Sequence, residues 1–182
     1  PQAGESMSEL SNRSRRVLIG ASAVAAAAAG VLGGHWWLTR GTVAGDEAKL
    51  LAASFPAMDG GQATPMSTWQ GKTLIINFWA TWCGPCREEM PDFVKAQQAF
   101  GDKGLQFVGI AVDRRDAVER FAKELGINYP ILLADVAWLN ELRTMGNPQS
   151  VLPFTLVVSP QGKVTLRRVG RLKYDEIAAM FA

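Results

Sequence analysis

Histidine appears once in this chain of 182 residues and cysteine twice, and these two shortages exclude several chemistries at once. A structural zinc site takes four Cys or His ligands, which two cysteines and the distant His35 do not supply. Covalent haem attachment takes Cys-x-x-Cys-His, and position 87 is arginine. Cys83 and Cys86 stand three positions apart, so a bond between them closes too short a loop to staple a fold. Charge of one sign is lacking too. With 19 basic and 17 acidic side chains the net charge is +2, which gives nucleic acid no reason to bind. No cofactor is implied. Two close cysteines without a structural task point to soft-metal binding or to redox chemistry.

Residues 17–38 (VLIGASAVAAAAAGVLGGHWWL) contain no Asp, Glu, Lys or Arg. At ~1.5 Å per residue the run is long enough for a hydrocarbon core of ~30 Å. Arg13, Arg15 and Arg16 precede it and should stay cytoplasmic, which faces the rest of the chain outward. Trp36 and Trp37 suit the far interface, and His35 beside them reads as an interfacial residue rather than a ligand. An uncleaved signal anchor and a removable signal peptide both remain open. The opening from Ser14 to Ile19 (SRRVLI) is similar to a twin-arginine export signal, and Thr42-Val43-Ala44 offers small residues for cleavage. The expected division is a disordered terminus over 1–12, the anchor or signal over 13–40, a polar linker over 41–50 and one domain over 51–182. The expected location is the periplasmic side of the cytoplasmic membrane.

Beyond the linker the chain shows no internal repeat. Residues 73–79 (TLIINFW) form a continuous apolar run, as a strand buried on both faces requires. A helix follows over about 85–100, a second buried strand over 105–112 and an amphipathic helix over 116–125. A short strand is expected at 129–133 and a helical turn or two at 138–145. Two strands, 155–159 and 164–169, flank the turn signal Pro160-Gln161-Gly162-Lys163, and a last helix covers 174–181. This order predicts an α/β domain, a mixed central sheet with helices on its faces.

The Cys-Gly-Pro-Cys motif stands where a buried strand ends and a helix begins. The free N–H groups and partial positive charge of a helix start stabilise a thiolate at Cys83 and raise its reactivity. Pro85 fits the first turn, where no N–H is needed. Cys86, one turn further in, is within reach but more shielded. A nucleophile and a resolving thiol are what exchange through a mixed disulfide requires.

The stretch from Asn77 to Cys86 (NFWATWCGPC) resembles the active-site strand and helix of the thioredoxin superfamily, and more closely its TlpA-like and ResA-like branch. The similarity runs from about Leu51 to the C-terminus and implies a thioredoxin fold behind the N-terminal export or anchor helix. It includes Pro91, which resembles the family's helix-kinking proline. Leu152-Pro153 resembles the cis-proline site that lies against the cysteines and holds substrate backbone. Trp82, beside Cys83, is then part of the recognition surface. Asn77 stands where thioredoxin has a buried aspartate. Glu89, three residues after the second cysteine, matches the branch's glutamate and is placed to exchange a proton with the thiols; the competing reading is a solvated first-turn carboxylate. Phe154 departs from the threonine common after the proline.

The resemblance implies a reductase of disulfides in exported proteins, such as apocytochrome c or the copper-site cysteines of an oxidase. Its electrons would come from a transmembrane donor. A DsbA-like oxidant, and a Cu(I) carrier using Cys83, Cys86 and Met90, are the competing readings.

Overall fold

The computed structural model describes residues 45–181. The expected terminal segment over 1–12 and the anchor or signal over 13–40 lie outside the described residues. Among the described residues, no helix is long and apolar enough to cross a membrane.

Strand β3 (Thr73–Trp79) is the centre of a five-stranded sheet. It pairs in parallel with β4 (Leu105–Ala111), which pairs in parallel with β5 (Ile131–Leu133). On its other side it pairs antiparallel with β6 (Phe154–Val158), and β6 with β7 (Val164–Val169). The sheet is mixed, as expected, and the turn after residue 159 makes the β6–β7 hairpin.

Six of the seven β3 residues are buried, and the strand's period of two distributes them to both faces. Leu74, Ile76 and Phe78 enter one cluster with Val108, Ile110, Phe154 and Leu156. Helices α1 (Gly45–Ala52) and α4 (Trp138–Glu141) cover that face through Leu50 and Trp138. Ile75 and Trp79 belong to the opposite face, under α2 (Gly84–Phe100), α3 (Arg115–Leu125) and α5 (Tyr174–Ala178). Each such buried aliphatic or aromatic side chain contributes ~1.5–3 kcal/mol. Gly109 on β4 pairs with Asn77, and a Cβ there would lie 3.0 Å from the indole nitrogen of Trp79. The missing side chain lets that indole lie across the sheet.

The polar stretch read as a linker over 41–50 is helical from Gly45 onward. Glu47 is buried and ion-paired with Arg167 on β7, and Leu50 enters the core. The charge that suggested a linker is met by a partner 120 residues away. A second feature without a sequence signal is the hairpin of β1 (Ser54–Pro56) and β2 (Ala63–Pro65). It attaches beside β5 through the bridge of Ala57 to Leu132.

Candidate active site

Strand β3 runs out at Trp79, and the turn to α2 carries Thr81, Trp82 and Cys83. Cys83 is the N-cap of α2, with the helix itself beginning at Gly84 and Pro85 in its first turn. Its Sγ accepts from the N–H of Cys86 at 3.3 Å, which satisfies one donor of the helix start. The two cysteines are joined as a disulfide, with Cα atoms 5.3 Å apart. Cys83 keeps 6% of its surface exposed and Cys86 none. Trp82 projects beside them with 67% of its surface exposed.

Glu89 lies on α2 one turn beyond Cys86, and it is fully buried rather than a solvated first-turn carboxylate. One oxygen accepts from Asn77 Nδ2 at 2.8 Å, and the other from the main-chain N–H of Leu172 at 2.9 Å. Burial pushes its pKa up to about 7; the bonds from Leu172 and Asn77, and the charge of Arg171, offset only part of that. The Asn77 amide also donates to Thr155 Oγ1 at 3.0 Å, while its Oδ1 is buried without a partner among the described residues. A buried carboxyl titrating near neutrality is able to hold or release a proton at working pH. Arg171 also ion-pairs with the exposed Glu88 at 2.6 Å, which docks the segment after β7 onto α2.

The Leu152–Pro153 peptide bond is cis. β6 pairs antiparallel with β3 up to Phe78–Phe154, so the loop ending in Pro153 arrives at the sheet edge from which the cysteine turn departs. A groove there is lined by Trp82, Cys83, Pro85, Leu139 and residues 150–152. The expected residues Trp82, Cys83 and Leu152 thus line one groove, Pro153 follows Leu152 just before β6, and Glu89 lies one turn beyond Cys86 on the same helix. Pro91 lies inside α2, as expected. Met90 is buried in the cluster holding both cysteines. Among the described residues, no group of three or more His, Cys, Asp or Glu is placed to hold a metal ion.

Asp113 was not singled out from the sequence. One carboxylate oxygen accepts from both the N–H of Thr81 (2.9 Å) and its hydroxyl (2.5 Å). The other accepts from the N–H of Arg114 at 2.7 Å. Burial alone would raise its pKa, but the Thr81 bonds, the Arg114 amide and the Arg114 charge outweigh it and hold the carboxyl below the usual range. Asp113 thus fixes the turn two residues before Cys83. The only signal available was an acidic residue just past a buried strand.

Several known proteins are similar to this chain. The AhpC/TSA family model matches residues 44–167. A thioredoxin-family thiol:disulfide interchange protein from Chlorobium tepidum TLS superposes with a TM-score of 0.63 at 32% identity, over 70% of this chain and 91% of that one. A thioredoxin-related protein from Neisseria meningitidis serogroup B gives a TM-score of 0.56 at 36% identity, over 64% and 88%. The thiol-disulfide oxidoreductase ResA of Bacillus subtilis (strain 168) is 32% identical over 105 residues, 57% of this chain and 56% of the relative. The match to that relative thus spans little more than half of its length. With its buried mixed sheet, its Cys-x-x-Cys at a helix start and its cis-proline alongside, the chain belongs to the AhpC/TSA family and, within the thioredoxin superfamily, to the ResA-like and TlpA-like proteins.

Proposed function

We propose that this chain is an extracytoplasmic thiol–disulfide oxidoreductase that reduces disulfides in exported proteins. The observation that carries the reading is the Cys83–Cys86 pair at the start of α2, flanked by the cis-proline groove and underlain by Glu89. The names of its relatives, ResA and the thiol:disulfide interchange protein, agree with it.

In the reduced state the Cys83 thiolate attacks one sulfur of a substrate disulfide and expels the other as a thiolate, which takes up a proton. A mixed disulfide now joins Cys83 to the substrate. Cys86 passes its proton to the Glu89 carboxylate and attacks Cys83 Sγ. The second substrate sulfur leaves as a thiolate and takes up a proton from solvent, and two electrons have moved from the protein dithiol to the substrate. Glu89, titrating near 7, both takes the proton and gives it back when a membrane-borne reductant regenerates the dithiol. Trp82 and the main chain at Leu152-Pro153 hold the substrate. Apocytochrome c or the copper-site cysteines of an oxidase fit as substrates, with residues 13–40 serving as export signal or anchor.

Electron flow outward requires a reducing couple. The nearest cation in sequence, Arg87, is followed by Glu88 and Glu89, and carboxylates near a thiolate oppose its ionisation. The disulfide should therefore be comparatively stable, with a potential nearer ~−270 mV than ~−120 mV. Equilibration of the Cys83–Cys86 couple with glutathione measures it. A value more oxidising than about −180 mV would instead favour an oxidant.

A further inference from the structure

The loop between α4 and β6 contains a buried amide that the chemistry above does not use. Asn147 has none of its surface exposed. Its Nδ2 donates to the carbonyl of Val151 at 2.8 Å, and its Oδ1 accepts from the N–H of the same residue at 3.2 Å. Its main chain is tied as well: the N–H donates to Leu142 O at 3.0 Å, and the C=O accepts from Ser150 N–H at 2.9 Å. Gly146, just before it, has φ +102°, and a Cβ there would lie 2.8 Å from Arg167 Cδ. Only glycine meets both conditions. Ser150 is held at φ 55°, a left-handed conformation that residues with a side chain rarely adopt. The loop is over-determined from both ends, and it leads into Leu152-Pro153 beside Cys83.

Leu152 precedes a proline, which keeps it out of the helical region. The Asn147 amide makes with Val151 the two bonds that a neighbouring strand would make. Among the described residues the main-chain groups of Leu152 make no hydrogen bond. Leu152 and Cys83 line the same groove.

We propose that Asn147 is a positioning residue that acts as a one-residue surrogate strand. It holds Val151 so that Leu152 alone presents its main chain to an extended peptide, which sets the peptide's cysteine against Cys83. This rests on the reading of the chain as a disulfide reductase.

The test compares wild type with Asn147→Ala and Asn147→Asp on two oxidants: a disulfide-containing peptide and the small aromatic disulfide dithiobis(nitrobenzoate). The aspartate keeps the shape but cannot donate to the Val151 carbonyl, and it serves where the alanine variant does not fold. The expected result is a KM for the peptide raised roughly tenfold, equivalent to about 1.4 kcal/mol. The kcat, the potential of the Cys83–Cys86 couple and the rate on the small disulfide should stay within about twofold of wild type. Equal losses on both oxidants, a shifted potential or an unchanged peptide KM would each overturn the positioning role. A wild-type protein that turns over the small disulfide but not the peptide would overturn the reductase reading and this proposal together. Effects confined to the variants bear on Asn147 alone.

Discussion

Asn77 and Glu89 meet at 2.8 Å beneath the cysteines, a neutral amide donating to a carboxylate that burial makes reluctant to ionise. The bond joins the central strand to the helix that carries Cys86. It puts the one buried acid among the described residues with a pKa near neutrality next to the redox pair.

That pairing sets a pH dependence. With its folded pKa raised from 4.5 to about 7, Glu89 favours the fold while protonated, and the advantage declines as pH rises through 7. The full shift corresponds to roughly 3 kcal/mol. Urea denaturation of the oxidised protein should therefore show wild type losing stability between about pH 5 and pH 8. Glu89→Gln should flatten that slope, and in the reduced protein it should alter the pH profile of Cys83 alkylation. Identical profiles for both proteins would remove Glu89 from the proton path.

The proposed roles of the two cysteines, with the partly exposed Cys83 attacking and the buried Cys86 resolving, make a second prediction. Cys86→Ser should accumulate a mixed disulfide with its substrate, while Cys83→Ser should accumulate none. Non-reducing gels of cells expressing each variant check this. Equal trapping by both would reverse or dissolve the assignment.

Asp113 supplies a third expectation. Its carboxylate binds the Thr81 amide and hydroxyl and the Arg114 N–H, so Asp113→Ala leaves three donors without their acceptor and should cost about 1–3 kcal/mol. Its pKa is lowered, so the contribution is present above the ordinary carboxylate range and is lost as pH falls through the folded value. Denaturation of the variant near pH 7 measures the loss. A change below ~0.5 kcal/mol would make the contact incidental.

Location is tested by reagent access. Cys83 in the reduced protein should react with a membrane-impermeant thiol reagent in cells whose outer layer alone has been permeabilised. Protection until the inner membrane is broken would place the domain on the cytoplasmic side.

Much of the sheet could be read in advance because its strands are buried on both faces, which leaves continuous apolar runs such as TLIINFW. Helix α3 declared itself through one apolar stripe, and the β6–β7 turn through its Pro-Gln-Gly-Lys signal. The three-residue strands β1 and β2 are too short to show a period, and α1 was hidden by a charge whose partner is on β7. The redox pair was legible from two residues and their setting. The cis bond at Pro153 and the importance of Glu89 came only through family resemblance, since neither leaves a local pattern. Asp113 and Asn147 depended on pairings across the fold: position 113 meets 81 only because β4 lies parallel to β3.

The pairing of Phe78 with Phe154 sits between the departure of the cysteine turn and the arrival of the cis-proline loop. Both arms of the site are therefore moored to rungs of one ladder, although the chain joining them passes through α2, the buried β4 and α3 on its way. The gap between the thiol and the peptide edge is thus gauged by the pitch of one pair of strands and not by the length of the chain between them.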